Sequence, residues 1–340
     1  MENKIKFCFV VHRYPPYAGG SEYYVQQMAE ECVSRGIDTT VVATHHEGSL
    51  NGVKVTSNLR ETLDKDLVIV HGGNPGIQFE VLHNSKRINS PVLYLLIEPS
   101  ESTKYINILD DVDFIGCSSL EDWDHVHRWK VEHKSFNIPH GISHASSVGQ
   151  RGVFKEKYGI PEGKRMFFSC GGYWPNKMMP ELSHAFQEAD IPNSILVTTG
   201  YDGSFPDQMT YIKDKVISLT IEDPQEIKNA LSDSECYIMN SSLEGFGLVI
   251  LESMINKTPW VGRNIAGARM LSDFGQVYDS YDQLVSILKN FVRDEDQIEK
   301  SYQHVLKNNL IKNTVDGIMN VYISSKKLDK NVIPSVQLSE

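Results

Sequence analysis

The chain has 340 residues, 40% hydrophobic and 23% charged, so it is long enough for two domains and apolar enough to bury a core. Its 33 basic and 44 acidic residues give a formal net charge of −11, which disfavours nonspecific binding to nucleic acid or anionic lipid. The five cysteines include no CxxC pair, which excludes a disulfide scaffold and is typical of a reducing compartment.

The opening of the chain predicts a βαβ unit. Residues 5–11 form a near-continuous apolar run, typical of a strand that is buried on both faces of a parallel sheet. A loop at 14–20 follows, and apolar residues then recur at helical spacing, with Ser21 as the expected N-cap and Gly36 just past the helix end. Residues 39–44 are the next predicted strand.

Apolar runs continue to alternate with longer polar stretches, which predicts an α/β fold with parallel sheets and helices on both faces. The further predicted strands are residues 67–71, 92–98, 114–118, 166–171, 195–200, 216–220, 236–240 and 259–262. A polar stretch at 143–152 interrupts the pattern, so we predict a first Rossmann-like domain at 1–147 and a second at 148–300. Helices at 301–325, with the option of packing back on the first domain, and a loose tail at 326–340 complete the prediction.

The strongest chemical signal is a glycine-punctuated turn between a predicted strand and an apolar helix, NSSLEGFGLVILE at residues 240–252. Free backbone N–H groups and the positive end of the helix dipole face one point there, which suits a diphosphate. Gly245 and Gly247 let the backbone approach a ligand closely, and Glu244 and Glu252 bracket the turn at a separation of at most ~12 Å if the stretch is helical. On spacing alone, two surface acids beside an ordinary turn explain the pattern equally well.

This stretch resembles the EGFGL…E signature of retaining glycosyltransferases of family 4, which have the GT-B fold of two facing Rossmann-like domains. The resemblance implies that Glu244 contacts hydroxyls of the donor sugar and that Glu252 holds the nucleotide ribose. It also implies that the backbone of Phe246, Gly247 and Leu248 binds the diphosphate.

A second match lies in the first predicted domain. PPYAGGSE at residues 15–22 is similar to the PPxxGGxE loop of the same family. Gly19 and Gly20 before a helix form an anion nest, which the resemblance places on the donor phosphate. A glycine pair by itself favours a structural turn, and the occurrence of both motifs in the expected order favours the donor-binding interpretation.

A third match is GGYWPNK at residues 171–177, where the family has a GR…K pattern whose arginine and lysine neutralise the diphosphate leaving group. The resemblance gives this role to Lys177. Gly172 stands in place of the arginine and is expected among the donor-binding residues. Either Arg263 or Arg269 could substitute for that arginine. The alternative for Lys177 is a solvated lysine at a helix start.

The family's amino-domain histidine lies near the donor sugar, at the end of the fourth strand. Glu98 stands at that place in this chain as a candidate catalytic residue, whose carboxylate can hydrogen-bond a sugar hydroxyl but does not supply an imidazole. His71, which closes the third strand, is the alternative candidate for the histidine's role. The other interpretation of His71 is an ordinary polar residue at the end of a strand. Gly200 closes a strand at a position that is typical for contacts to the donor base.

The sequence therefore predicts a retaining glycosyltransferase that moves a sugar from a nucleotide-sugar donor, such as a UDP- or GDP-sugar, to a hydroxyl of a glycan, lipid-linked or protein acceptor. Lys177 and backbone amides stabilise the leaving diphosphate, without a metal ion or other cofactor. Two alternatives stay open: an inactive GT-B relative that binds sugar nucleotide or glycan as a partner subunit, and a nucleotide-sugar epimerase or phosphorylase on the same fold.

The expected location is the cytoplasm, because no secretory signal opens the chain and no apolar run has the length of a membrane span. No nucleic-acid partner is expected. Peripheral docking at a membrane is open, because relatives that act on lipid-linked acceptors dock in this way, but no Lys/Arg-rich amphipathic helix supports it.

Overall fold

The computed structural model describes residues 4–16, 19–44, 46–72, 76–96, 106–172, 174–200, 215–221 and 223–331. The chain divides into two compact units. One comprises Met1–His140 and Ile311–Glu340, and the other comprises Gly141–Leu310. The chain thus enters the second unit before the predicted boundary at 147 and leaves it after the predicted end at 300.

The first unit contains an eight-stranded sheet in the order β3-β4-β2-β1-β5-β6-β7-β8. The pair β3 and β4 is antiparallel and all other pairs are parallel, as expected for an α/β fold. The strands are β1 (Lys6–Val10), β2 (Asp38–Val42), β3 (Gly48–Leu50), β4 (Val53–Thr56), β5 (Leu67–His71), β6 (Val92–Leu95), β7 (Phe114–Cys117) and β8 (Ser135–Asn137). The antiparallel pair and β8 were not among the strands predicted from the sequence.

Among the described residues up to 140, four helices cover this sheet: α1 (Gly20–Ser34), α2 (Ile77–His83), α3 (Ile106–Leu109) and α4 (Leu120–Trp129). The predicted N-cap of α1 is wrong, because Gly19 is the N-cap and Ser21 lies inside the first turn. The Tyr23 N–H donates to the Gly19 carbonyl at 3.1 Å, which starts the helical hydrogen bonding two residues earlier than predicted.

The second unit contains a six-stranded, wholly parallel sheet in the order β11-β10-β9-β12-β13-β14. Its strands are β9 (Arg165–Cys170), β10 (Ser194–Gly200), β11 (Val216–Thr220), β12 (Cys236–Met239), β13 (Trp260–Arg263) and β14 (Gln276–Tyr278). Its helices are α5 (His144–Ser147), α6 (Val153–Lys157), α7 (Met179–Ala189), α8 (Pro224–Asp233), α9 (Leu248–Ile255), α10 (Ala266–Met270), α11 (Tyr281–Lys289) and α12 (Glu295–Asn308). Buried clusters on both faces of the sheet form the core.

The last helix, α13 (Ile311–Asn331), belongs to the first unit and packs against α1. The side chains of Val315, Ile318 and Val321 are fully buried there, three residues apart on one helix face. The preceding helix α12 instead buries Ile298 and Val305 in the second unit. The two C-terminal helices therefore stabilise different units.

The packing of α13 is tested by a matched pair of substitutions. Ile318→Ala empties a fully buried position, whereas Ile323→Ala truncates a side chain of the same helix that is 47% exposed. We expect the first to lower the free energy of unfolding by about 2–4 kcal/mol and the second by at most about 0.5 kcal/mol. Chemical denaturation of the purified variants measures both, and equal effects would contradict the placement of the helix.

Candidate active site

The candidate site lies at the carboxyl edge of the sheet in the second unit. Cys170, Gly200 and Met239 end the neighbouring strands β9, β10 and β12. Because these strands are parallel, the loops that follow them leave from the same edge, the usual ligand-binding edge of such sheets. The structure brings the loops after β9 and β12 together, and it places Gly200 at the same edge.

The turn after β12 is shaped by Gly247, which is the N-cap of α9 and has a φ of +89°. A Cβ at this position would lie 2.6 Å from the Met239 sulfur, so both the backbone conformation and the space require glycine. No side chain caps the first turn of α9, which begins at Leu248. The first backbone amides of the helix are thus left for an anionic ligand.

The residues before Gly247 are fixed from the other side by helix α10. Phe246 is buried, and its carbonyl accepts a hydrogen bond of 3.0 Å from the Gly267 N–H. A Cβ on Gly267 would overlap that carbonyl oxygen, so the two backbones touch. Gly245 and Phe246 are therefore held in a fixed path toward the helix start.

Lys177 and Glu244 form an ion pair between the loops after β9 and β12. Lys177 Nζ lies 2.5 Å from Glu244 Oε1, and the same oxygen accepts a hydrogen bond of 2.7 Å from Ser241 Oγ. The two charged side chains are 16% and 18% exposed. The Ser242 N–H donates to the Asn176 carbonyl at 2.7 Å and joins the two loops through the backbone. These contacts fix the two predicted catalytic residues relative to each other.

Glu252 forms a second ion pair, with Lys228 of helix α8. Lys228 Nζ donates to Glu252 Oε1, and each side chain is only 11% exposed. The sequence analysis did not identify Lys228. A lysine in an amphipathic helix is normally solvated, and no motif distinguishes this one.

Both ion pairs act on the Cys170 thiol at the end of β9. The pKa of Cys170 is raised to about 12, mainly by burial, with the charges of Glu252 and Glu244 raising it and those of Lys228 and Lys177 lowering it. Burial also raises the pKa of the Tyr237 hydroxyl on β12, and both glutamates act in the same direction. All four charged groups therefore lie close enough to act on the same thiol.

Gly172 stands where the resemblance predicts an arginine, and its surroundings leave little room for a larger residue. Its φ is +85°, a conformation that L side chains rarely adopt. A Cβ there would lie 3.1 Å from Cδ1 of Trp174, whose side chain is 65% exposed. The chain has an aromatic ring beside this position instead of a guanidinium group.

The two arginines considered as substitutes have partners within the second unit, and their role stays a prediction. Arg263 Nη2 lies 2.5 Å from Glu181 Oε1 and 3.3 Å from Asn240 Oδ1. Arg269 Nη2 lies 3.5 Å from the Asn264 carbonyl oxygen. Within the described part of the chain, Lys177 and Lys228 are the cations that pair with the two glutamates of the motif.

In the first unit, Gly19 and Gly20 lie at the start of α1, as the motif predicts. A Cβ on Gly19 would overlap the carboxylate of Glu22, so this carboxylate already lies against the glycine backbone. Burial raises the pKa of Glu22. The proposed phosphate contact of the glycine pair stays a prediction.

His71 ends β5 and is buried, at 3% exposure, and its Nδ1 has no hydrogen-bond partner in the structure. Its ring centroid lies 5.3 Å from that of Tyr24, whose hydroxyl is 2.9 Å from Nδ1 of the buried His140. Burial lowers the pKa of both histidines to about 3. Glu98 lies outside the described residues. The active-site roles of both candidates stay predictions.

In the part of the chain that the structure describes, no helix is both long and apolar enough to cross a membrane. The same residues contain no group of three or more His, Cys, Asp or Glu side chains placed to hold a metal ion.

The candidate site lies in a segment that matches a family of known proteins. Residues 150–310 match the family model described as Glycosyl transferases group 1. The chain is 22% identical over 196 residues to N-acetyl-alpha-D-glucosaminyl L-malate synthase of Bacillus anthracis, covering 52% of this chain and 50% of that protein. It is 25% identical over 210 residues to UDP-Gal:alpha-D-GlcNAc-diphosphoundecaprenol alpha-1,3-galactosyltransferase of Escherichia coli, covering 57% and 51%. These matches span about half the length of the curated relatives.

Among solved structures, HepE of Anabaena in complex with UDP-glucose has a TM-score of 0.77 at 15% identity, over 94% of this chain and 100% of that chain. At this identity the likeness shows the fold alone. It confirms the predicted α/β class, with two mostly parallel sheets and GT-B-like architecture.

The requirement for glycine at the start of α9 is testable. Gly247→Ala forces a Cβ against the Met239 sulfur at positive φ, and we expect it to lower the free energy of unfolding by about 1–3 kcal/mol. Gly163→Ala is the matched control, because a Cβ there meets nothing within 4 Å. Urea denaturation of both variants decides the point, and a neutral Gly247→Ala would show that the turn is not constrained as described.

The buried histidines predict a loss of stability in acid. Histidines in the unfolded chain bind protons below a pH of about 6.5, while His71 and His140 resist protonation until about 3. Stability is therefore highest above pH 6.5 and falls toward pH 3, by up to about 1.4 kcal/mol per pH unit for each histidine. His71→Gln should reduce this slope between pH 6 and 4.5, and the exposed His83→Gln should not. Equal slopes in both variants and the wild type would contradict the prediction.

Proposed function

We propose that the chain is a retaining glycosyltransferase of family 4 that transfers a sugar from a UDP-sugar to a hydroxyl of a glycan, lipid-linked or protein acceptor. The observation that carries the proposal is the Lys177–Glu244 pair just before the uncapped start of α9, with the Lys228–Glu252 pair at the second turn of the same helix. UDP is the favoured nucleotide of the donor, because HepE was solved with UDP-glucose and the Escherichia coli relative is named for UDP-Gal.

The diphosphate is proposed to bind at the first amides of α9, at Leu248 after Gly247. Lys177 supplies a positive charge to the phosphate oxygen that becomes negative when the glycosidic bond breaks. An ammonium has three donors, so Lys177 can contact a phosphate and keep its bond to Glu244. Neutralisation by a fixed lysine makes a metal ion unnecessary in this proposal.

Glu244 is proposed to accept hydrogen bonds from hydroxyls of the donor sugar. One of its oxygens is held by Lys177 and Ser241, which fixes the orientation of the carboxylate before the donor binds. In the same-face mechanism, the departing phosphate oxygen takes the acceptor's proton while the acceptor oxygen bonds to the anomeric carbon. The protein's part is then to orient both substrates and stabilise the leaving group.

The proposal is tested with nucleotide sugars. The wild type should be stabilised most by UDP among nucleoside diphosphates in a thermal-shift assay, and should release UDP from a UDP-sugar. Lys177→Ala and Glu244→Ala should lower kcat at least ~100-fold, because each removes a group that contacts the transition state. Retention follows from the anomeric configuration of the product, read by proton NMR.

The controls come from an exposed ion pair of the same unit, Lys257 with Glu299, whose side chains are about half exposed. Lys257→Ala and Glu299→Ala should leave kcat within about twofold. Full turnover in the Lys177 and Glu244 variants would overturn the proposed roles. UDP binding without turnover, even with a panel of acceptors, would favour the inactive relative instead, and an epimerised or phosphorolysed product would favour the other enzyme classes.

A further inference from the structure

Lys228 is a nearly buried ammonium whose hydrogen bond goes to one carboxylate. It lies in the second turn of α8, and its Nζ donates to Glu252 Oε1 in the second turn of α9. Each side chain is 11% exposed, so both charges have given up most of their hydration for this contact. An ammonium offers three donors and a carboxylate about four acceptor positions, so the pair retains unused hydrogen-bonding capacity.

That remaining capacity matches a vicinal diol. Each hydroxyl of a diol can donate to a carboxylate oxygen and accept from an ammonium hydrogen at the same time. A phosphate, in contrast, only accepts, and would meet repulsion from Glu252 at this place. The chemistry of the pair therefore selects a sugar diol over an anion.

The position of the pair agrees with a ribose. Glu252 lies four residues after Leu248, which corresponds to about 6 Å along the helix axis from the start of α9. A diphosphate at the first amides of α9 would place the ribose of the same nucleotide roughly that far away. Lys177, in the loop after β9, remains the cation for the diphosphate.

We propose that Lys228 is a positioning and specificity-determining residue that, together with Glu252, holds the ribose diol of the donor nucleotide and discriminates against 2′-deoxynucleotides. This inference rests on the proposed function. It adds to it a residue outside the motifs, contributed by α8.

Calorimetric titration with UDP, 2′-deoxy-UDP and UMP tests the role. The wild type should bind UDP about tenfold or more tightly than 2′-deoxy-UDP, since the missing hydroxyl leaves hydrogen bonds to charged groups unmade. In Lys228→Met this ratio should fall at least threefold, while the ratio of UDP to UMP affinity stays the same. Lys257→Met, which removes an exposed ammonium, should change neither ratio.

An unchanged or increased preference for UDP over 2′-deoxy-UDP in Lys228→Met would overturn the inference, because Lys228 would then only neutralise Glu252. If Lys228→Met lowered only the ratio of UDP affinity to UMP affinity, the inference would also be overturned, and Lys228 would be assigned to the diphosphate. A wild type that binds no nucleotide would overturn the proposed function as well, and so distinguishes the two failures.

Removing Lys228 leaves a carboxylate nearly buried without its cation, which can prevent folding. In that case the single variant Glu252→Gln is compared with the double variant that carries both Glu252→Gln and Lys228→Met. Neither variant has an unpaired carboxylate at position 252. The added lysine substitution should lower the remaining preference for UDP over 2′-deoxy-UDP, and an equal preference in both variants would contradict the inference.

Discussion

Two carboxylates held away from water at one sheet edge are the constraint on which the candidate site depends. A nearly buried carboxylate stays ionised at a tolerable free energy only if a cation or several hydrogen-bond donors compensate for the lost hydration. Glu244 receives Lys177 from the loop after β9, and Glu252 receives Lys228 from α8. The two pairs thus fix the loop after β9 and the helix α8 against the segment that contains both glutamates.

Most of the architecture could be predicted, because buried parallel strands are continuous apolar runs. The predicted segments 67–71 and 216–220 coincide with β5 and β11, and the glycine turn leads into α9 as expected. The hairpin of β3 and β4 was missed, although Asn51-Gly52, the dipeptide favoured in two-residue hairpin turns, stands between its strands. The strands β8 and β14 have three residues each, too few for a periodic pattern.

The candidate site was predictable only where a motif fixes the backbone. The spacing of the glutamates and of Lys177 follows from local sequence, and the structure brings Lys177 to Glu244. The pairing of Lys228 depends on how α8 is rotated about its axis, and that rotation is set by buried neighbours such as Ile227 and Leu231. The chain's departure at Gly172 is visible in the sequence, whereas the reason a side chain is disfavoured there, a φ of +85° beside Trp174, appears only in the structure. The cations paired with the two glutamates are therefore lysines, which act as point charges and lack the two-pronged geometry of an arginine.

The starts of helices α1 and α9 offer the same backbone donors but differ in what already occupies them. At α1, the carboxylate of Glu22 lies against Gly19, so an incoming phosphate would meet a carboxylate there. At α9, no side chain caps the first turn, and Glu244 of the preceding turn is paired with Lys177. In the proposed function, a diphosphate at α9 satisfies open amides beside a lysine, whereas a phosphate at α1 has to displace an acid. The charges at each helix start, considered separately, therefore favour the proposal that places the diphosphate at α9.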